Sequence, residues 1–105
     1  MTSRKQVLCE ERVRRVPRQF SWVDQRLVRD GFCRRCEPEQ LALYLLLVTV
    51  GDAEGLSYYG DASAARLLSL PATRLPALRE GLLQADLVAY RHPLYQVLEL
   101  PEGRS

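Results

Sequence analysis

One stretch of this chain limits its possible folds more than any other. Residues 41–50 read LALYLLLVTV, in which Thr49 and the Tyr44 hydroxyl are the only polar side-chain groups. Pro38 suits the first turn of a helix and a Gly-Asp pair follows the stretch, so the sequence predicts a helix over residues 38–50. A helix that is apolar on every side must be buried on nearly every side. Spanning a bilayer takes about 20 apolar residues, so we expect a central helix covered by the rest of the chain.

Length and composition are those of one small domain. The chain has 105 residues, of which 47% are hydrophobic and 27% charged, as in ordinary soluble globular proteins. The charged N-terminus lacks the apolar run of a signal peptide, which favours the cytoplasm. No membrane partner is expected. The three cysteines are an odd number, and this argues against a secreted disulfide framework.

Charge is divided unevenly along the chain. Residues 1–35 carry ten Lys or Arg and four acids, a net charge of +6, whereas the remaining residues carry five and nine, a net charge of −4. A basic segment is the usual footprint of a polyanion partner, although a solvated charged tail is the commoner explanation of a single run.

The N-terminal residues 1–19 are predicted to form a basic arm, flexible in part. A helical portion is expected over residues 6–15, and Pro17 interrupts any continuation toward the body. The best candidates for phosphate contacts are the arginines of this arm, namely Arg12, Arg14, Arg15 and Arg18. A merely solvated arm is an equally good interpretation.

The body is predicted to begin at residue 20. Ser21 and Asp24 have the spacing of a capping box at the start of a helix. That helix should end near Gly31, with Phe32 returning to the core. Its apolar face would consist of Trp22, Val23, Leu27 and Val28.

A helix pair is predicted after the central helix. Residues 56–59 favour a short strand, and Asp61 is placed to cap a helix over residues 62–68. The inward side chains of that helix would be Ala64, Ala65 and Leu68. Pro71 would start the next helix, whose inward face is formed by Leu75, Leu78 and Leu82. Pro76 and Gly81 weaken this helix, so its first turn is expected to be irregular.

The C-terminal part favours a β-hairpin. Two β-rich runs, residues 87–91 and 94–100, flank His92-Pro93, which is a very short break. Residues 101–105 are predicted to be a frayed tail. The four tyrosines expected on the small sheet are Tyr58, Tyr59, Tyr90 and Tyr95, and sheet or core packing explains them better than base stacking.

This order of elements, with DASAARLLSLPATRL from residue 61 and LQADLVAY from residue 83, resembles the bacterial winged helix-turn-helix family. It is most similar to small modules of replication-initiator and mobile-element-associated proteins, whose central helix often begins Pro-Glu and continues Ala-Leu-Tyr, as at Pro38-Glu39 and Ala42-Leu43-Tyr44 here. The resemblance covers residues 20–100. It implies a mainly α fold with a small antiparallel sheet (α+β).

The resemblance also implies a function, that of a DNA-binding accessory or regulatory protein, for example in transcription or replication. Residues 72–85 would be the recognition helix and residues 87–100 the wing. Thr73 and Arg74 would then read bases, and Arg91 and His92 would touch phosphates of double-stranded DNA. The other outward positions, Ala72, Pro76 and Ala77, depart from the usual pattern of a major-groove helix.

A second interpretation follows from this departure and from the acidic body. The chain would be a winged-helix module for protein–protein interaction, or for self-association, with little or no DNA affinity.

Metal and catalytic sites are not favoured by the sequence. Cys33 and Cys36 form one pair, and Cys9 and His92, the other candidate zinc ligands, are unpaired and far apart. We therefore expect ordinary loop cysteines and no metal or other cofactor. The single histidine lies in the predicted hairpin turn without partners for nucleophilic catalysis, so we expect no enzyme activity.

Overall fold

A computed structural model of the protein describes residues 5–101. The first four residues of the predicted arm and residues 102–105 of the predicted tail lie outside the described part. The α-helices are α1 (Arg26–Arg29), α2 (Pro38–Val50), α3 (Asp61–Leu68) and α4 (Leu75–Gln84). The strands are β1 (Leu56–Tyr58), β2 (Val88–Arg91) and β3 (Leu94–Val97). Short 3-10 helices occupy Glu10–Arg12, Phe32–Arg35 and Ala72–Arg74.

The three strands form one antiparallel sheet in the order β1-β3-β2. Tyr95 in the central strand lies opposite Ser57 of β1 on one side and opposite Tyr90 of β2 on the other. Helix α2 packs against α3, α4 and β3, so it lies at the centre of the body. The expected mixed α+β class is therefore confirmed.

The central helix α2 has the predicted bounds. Pro38 occupies its first turn. Glu37, the residue before Pro38, forms a capping box with Gln40, whose side-chain oxygen accepts a hydrogen bond from the Glu37 amide at 2.9 Å. Leu43 and Leu47 are fully buried, but Leu45 is 59% exposed. The expectation of burial on nearly every side fails along one side, where α3, α4 and the sheet do not cover Leu45 and Thr49; the other residues of 41–50 are buried or half-buried.

The rest of the core agrees with the predicted inward faces. Leu75, Leu78 and Leu82 are buried on α4, and Ala64 and Ala65 are buried on α3, whereas Leu68 is half-buried. Phe32 is buried as expected, beside the cationic head of Arg35, which lies 4.8 Å from its ring centre. The predicted irregular start of the second helix is present as the 3-10 helix Ala72–Arg74.

The segment before α2 differs from the prediction. Ser21 does not cap a helix: its hydroxyl donates to the carbonyl of Thr49 at 3.0 Å. Asp24 accepts from the Arg26 guanidinium at 2.7 Å, and this hydrogen bond is the first cause that lowers the pKa of the Asp24 carboxyl. Helix α1 is a single turn over Arg26–Arg29 that ends, as predicted, near Gly31, whose φ is 81°.

The predicted apolar face of this segment is also wrong. Trp22 and Val28 are each 72% exposed and Val23 is 45% exposed, while Leu27 is half-buried. A one-turn helix cannot present a continuous stripe of side chains to the core.

Two further local expectations are corrected. Asp61 is the first residue of α3 rather than its cap, and its carboxylate accepts from Arg79 at 2.8 Å. The predicted helix over residues 6–15 is reduced to the 3-10 helix Glu10–Arg12. The strand Leu56–Tyr58 and the hairpin of β2 and β3 are present as expected, with Tyr59 just beyond β1. None of the helices within residues 5–101 is long and apolar enough to span a membrane.

Candidate nucleic-acid interface

The arm, here residues 5–18, presents its predicted phosphate-binding residues to solvent. Arg12, Arg14, Arg15 and Arg18 are all exposed, and their side chains make no ion pair with any residue between 5 and 101. Glu11 is occupied locally: a hydrogen bond from its own backbone, then one from the Cys9 thiol at 3.4 Å, lower the pKa of its carboxyl. The arm therefore carries unneutralised positive charge.

The predicted recognition helix offers a weaker set of contacts. Thr73 and Arg74 lie exposed in the 3-10 helix that precedes α4. The Arg74 guanidinium, however, forms an ion pair with the carboxylate of Glu39 on α2. Further along α4, Glu80 is exposed and accepts a hydrogen bond from Gln84 at 3.2 Å. The outward surface of α4 thus carries the acidic Glu80, and Arg74 is the one exposed arginine at its start.

The tip of the hairpin holds the other two predicted contacts. Arg91 and His92 are exposed, and the peptide bond between His92 and Pro93 is cis. The Nδ1 atom of His92 lies 3.0 Å from the Tyr90 hydroxyl. Arg91 and His92 lie at the end of β2, so this tip can contact a phosphate but does not extend into a long loop.

One arginine that could be mistaken for a contact residue is structural. Arg79 donates to the Asp61 carboxylate at 2.8 Å and to the Tyr95 hydroxyl at 3.0 Å, and it lies 4.3 Å from the centre of the Tyr90 ring. Burial disfavours its charge, but these hydrogen bonds outweigh the burial and raise the pKa of the Arg79 guanidinium. This cluster could not be recognised in the sequence, because its members belong to four different elements.

The cysteines are free thiols. Cys33 and Cys36 are half-buried, and burial is the main reason why the pKa of the Cys36 thiol is raised, which disfavours a reactive thiolate. Among residues 5–101, no group of three or more His, Cys, Asp or Glu side chains is placed to hold a metal ion.

An open groove that sequence reasoning missed lies at the base of the arm. It has a volume of about 610 Å³ and is bordered by residues 20–24 and Arg26, the second half of α2, the turn at residues 51–55 and residues 97–100. Tyr44 forms part of its floor, and burial raises the pKa of that phenol. The exposed aromatic side chains of Phe20 and Trp22 border it. The aromatic pair is visible in the sequence, but its exposure is not.

Comparison with known proteins gives no relative to set beside this geometry. Searches with the chain found no matching family model, no matching curated protein and no matching solved structure.

Proposed function

We propose that this protein is a winged helix-turn-helix protein that binds double-stranded DNA in the cytoplasm of a bacterium. Its role would be that of an accessory or regulatory protein, in transcription, in replication or on a mobile element, without enzyme activity. The arm would supply most of the affinity and the start of α4 some of the sequence preference.

The order of elements supports the winged-helix part of this proposal. Helices α3 and α4 are consecutive and in contact, and a two-stranded hairpin follows them directly. The first strand, β1, pairs with β3, so the hairpin is anchored to the body beside the helix pair. In such an arrangement α4 takes the place of a recognition helix and the hairpin that of a wing.

The single observation that carries DNA binding is the state of the four arm arginines. They are exposed and unpaired within the described residues, so binding to phosphate costs no internal contact. Displacement of condensed counterions from DNA by such side chains provides affinity that depends steeply on salt and little on sequence.

Arg74 can contribute to the proposed DNA binding when a base replaces Glu39 as the partner of its guanidinium. The Arg74 and Glu39 side chains remain 48% and 41% exposed, and an exposed ion pair of this kind stabilises a protein by about 0 to 1 kcal/mol. An arginine that hydrogen-bonds a guanine edge favours guanine over another base by about 1 to 3 kcal/mol, which is enough to displace Glu39. Glu39→Gln should therefore raise DNA affinity, and Arg74→Ala should reduce the preference between duplexes.

The test is the salt dependence of binding to a labelled duplex, measured by fluorescence anisotropy. Changing Arg12, Arg14, Arg15 and Arg18 to Gln should remove most of the affinity and lower the slope of log K against log salt by roughly 3 to 4, at about 0.9 per phosphate. The matched control changes the same four residues to Lys, which keeps the charge and should keep the slope. Absence of salt-dependent binding by the unchanged protein at low ionic strength would refute DNA binding.

A protein-interaction module is the second candidate, and one observation favours it. Leu8 is 99% exposed, Trp22 72% and Phe20 62%, and exposed apolar side chains grouped in one segment are typical of an interaction surface. If the protein shows no DNA binding, the expected function is to bind a protein partner through this segment.

A further inference from the structure

The groove at the base of the arm combines apolar walls with an excess of negative charge. Phe20 and Trp22 leave most of their surface uncovered along it. Its acidic side chains are Asp24, Asp52, Glu54 and Glu99, against one cation, Arg26. A site of about 610 Å³ lies within the range of roughly 300 to 1,000 Å³ that encloses a small ligand or a few side chains. The surface therefore fits an occupant that is both apolar and basic.

Two of the four carboxylates in the groove have partners within residues 5–101, and the other two do not. Asp24 is held by Arg26, and Asp52 accepts hydrogen bonds from the amides of Glu54 and Leu56 at 2.9 Å each. The side chains of Glu54 and Glu99 make no hydrogen bond or ion pair with residues 5–101, and both are exposed. They are available to a cation from another chain.

The arm has the complementary composition. Within residues 5–18, five basic side chains stand against two acids, a net charge of +3. The exposed apolar side chains of the same segment are Val7, Leu8, Val13 and Val16, from 51% for Val13 to 99% for Leu8. Because these side chains are exposed, the arm does not fill the groove of its own chain.

The backbone of the arm can separate its apolar and basic side chains. Val13 has φ −63° and ψ 132°, near the polyproline II region, and Pro17 restricts Val16 to extended conformations. Polyproline II has three residues per turn, so residues three apart share a side. Val13 and Val16 would then share one side and Arg14 would project from another. The remaining side would carry Arg15 and Arg18.

We propose that the groove of one copy of this protein binds the arm of a second copy, so that two chains exchange arms around a twofold axis. Because arm and groove belong to the same chain, one mode of contact used twice closes the dimer. In this dimer Val13 and Val16 enter the groove, and Arg14 approaches Glu54 or Glu99. Arg12, Arg15 and Arg18 stay in solvent, so Arg14 is the one arm arginine that arm exchange shares with the proposed DNA binding.

The first measurement is the mass in solution without nucleic acid, by light scattering over a range of concentrations. The unchanged protein should reach twice the 12.0 kDa chain mass. Trp22 is the only tryptophan and borders the groove, so its emission should shift to shorter wavelength as the dimer forms. Val13→Asp with Val16→Asp should lose both signals, whereas the control Val28→Asp, on the exposed face of α1, should keep them.

The sharper measurement uses charge reversal on each side of the contact. A groove variant, Glu54→Arg with Glu99→Arg, and an arm variant, Arg14→Glu, each place like charges together and should be monomeric. All three side chains are exposed, so both variants should keep the circular dichroism of the unchanged protein. Mixed in equal amounts, the two variants should form a heterodimer, because each arm then meets a groove of opposite charge.

Three results would overturn the arm exchange. The first is a monomer of the unchanged protein at every soluble concentration, which would leave the groove to a basic segment of a different protein. The second is a dimer that survives charge reversal of the groove. The third is the failure of the two variants to associate when mixed. None of these results bears on salt-dependent binding to a duplex, so failure of this proposal and failure of DNA binding are distinguishable.

Discussion

The arm and the body use the same residue types in opposite ways. In the body, Arg79 is held by Asp61 and Tyr95, and Leu47 is fully buried. In the arm, Arg14 has no ion pair within residues 5–101 and Leu8 is 99% exposed. Composition therefore does not distinguish a structural arginine or leucine from one available to a partner. The distinction lies in whether other elements surround the side chain.

The largest expected effect comes from carboxylates placed at two positions of α2. Leu47→Asp would bury a charge without a partner, at a cost of several kcal/mol against a total stability of about 5 to 15 kcal/mol, and the protein should be unfolded or insoluble. Leu45→Asp, at a position 59% exposed, should fold with nearly unchanged stability. Circular dichroism and denaturant unfolding would measure both. Equal losses for the two variants would mean that the Leu45 side of α2 is covered in solution.

An intermediate effect is expected from removing Arg79. Arg79→Met would leave the hydroxyl of the buried Tyr95 without its partner and should lower the free energy of unfolding by about 1 to 3 kcal/mol. Arg18→Met in the arm should leave stability unchanged, because Arg18 is exposed and makes no ion pair within residues 5–101. The midpoints of chemical denaturation report both changes. A destabilisation by Arg18→Met as large as that by Arg79→Met would break the contrast between arm and body.

The smallest effect concerns alkaline pH. Burial raises the pKa of Tyr44 above its ordinary value of 10.0, so the folded protein resists ionisation of this phenol more than the unfolded chain does. This contribution to stability is fully present below pH 10 and is lost as the pH rises through the folded pKa. Tyr44→Phe should therefore reduce the loss of stability in that range. The matched comparison is Tyr58→Phe, which removes the hydroxyl of a tyrosine that is 71% exposed.

Much of the fold could be predicted because its signals are local. The bounds of α2 follow from Pro38 and from the apolar run, and the inward face of α4 follows from the spacing of Leu75, Leu78 and Leu82. The hairpin follows from two β-rich runs around a two-residue break. The candidate contact residues of the arm could also be named, because exposure is the usual state of arginine in a charged segment. Whether those residues bind DNA stays a prediction.

Contacts between distant parts of the chain were decided only by the tertiary structure. The Ser21 hydroxyl bonds a carbonyl 28 residues away instead of the nearby helix, and Asp61 meets Arg79 from 18 residues away instead of capping α3. The exposure of Leu45 and the groove beside Trp22 likewise depend on which elements reach each surface. Helix periodicity and turn chemistry act over a few neighbouring residues, so they specify segments such as α2 and β3. A polar side chain with several possible partners takes the one that packing brings within reach, and this choice requires the whole body.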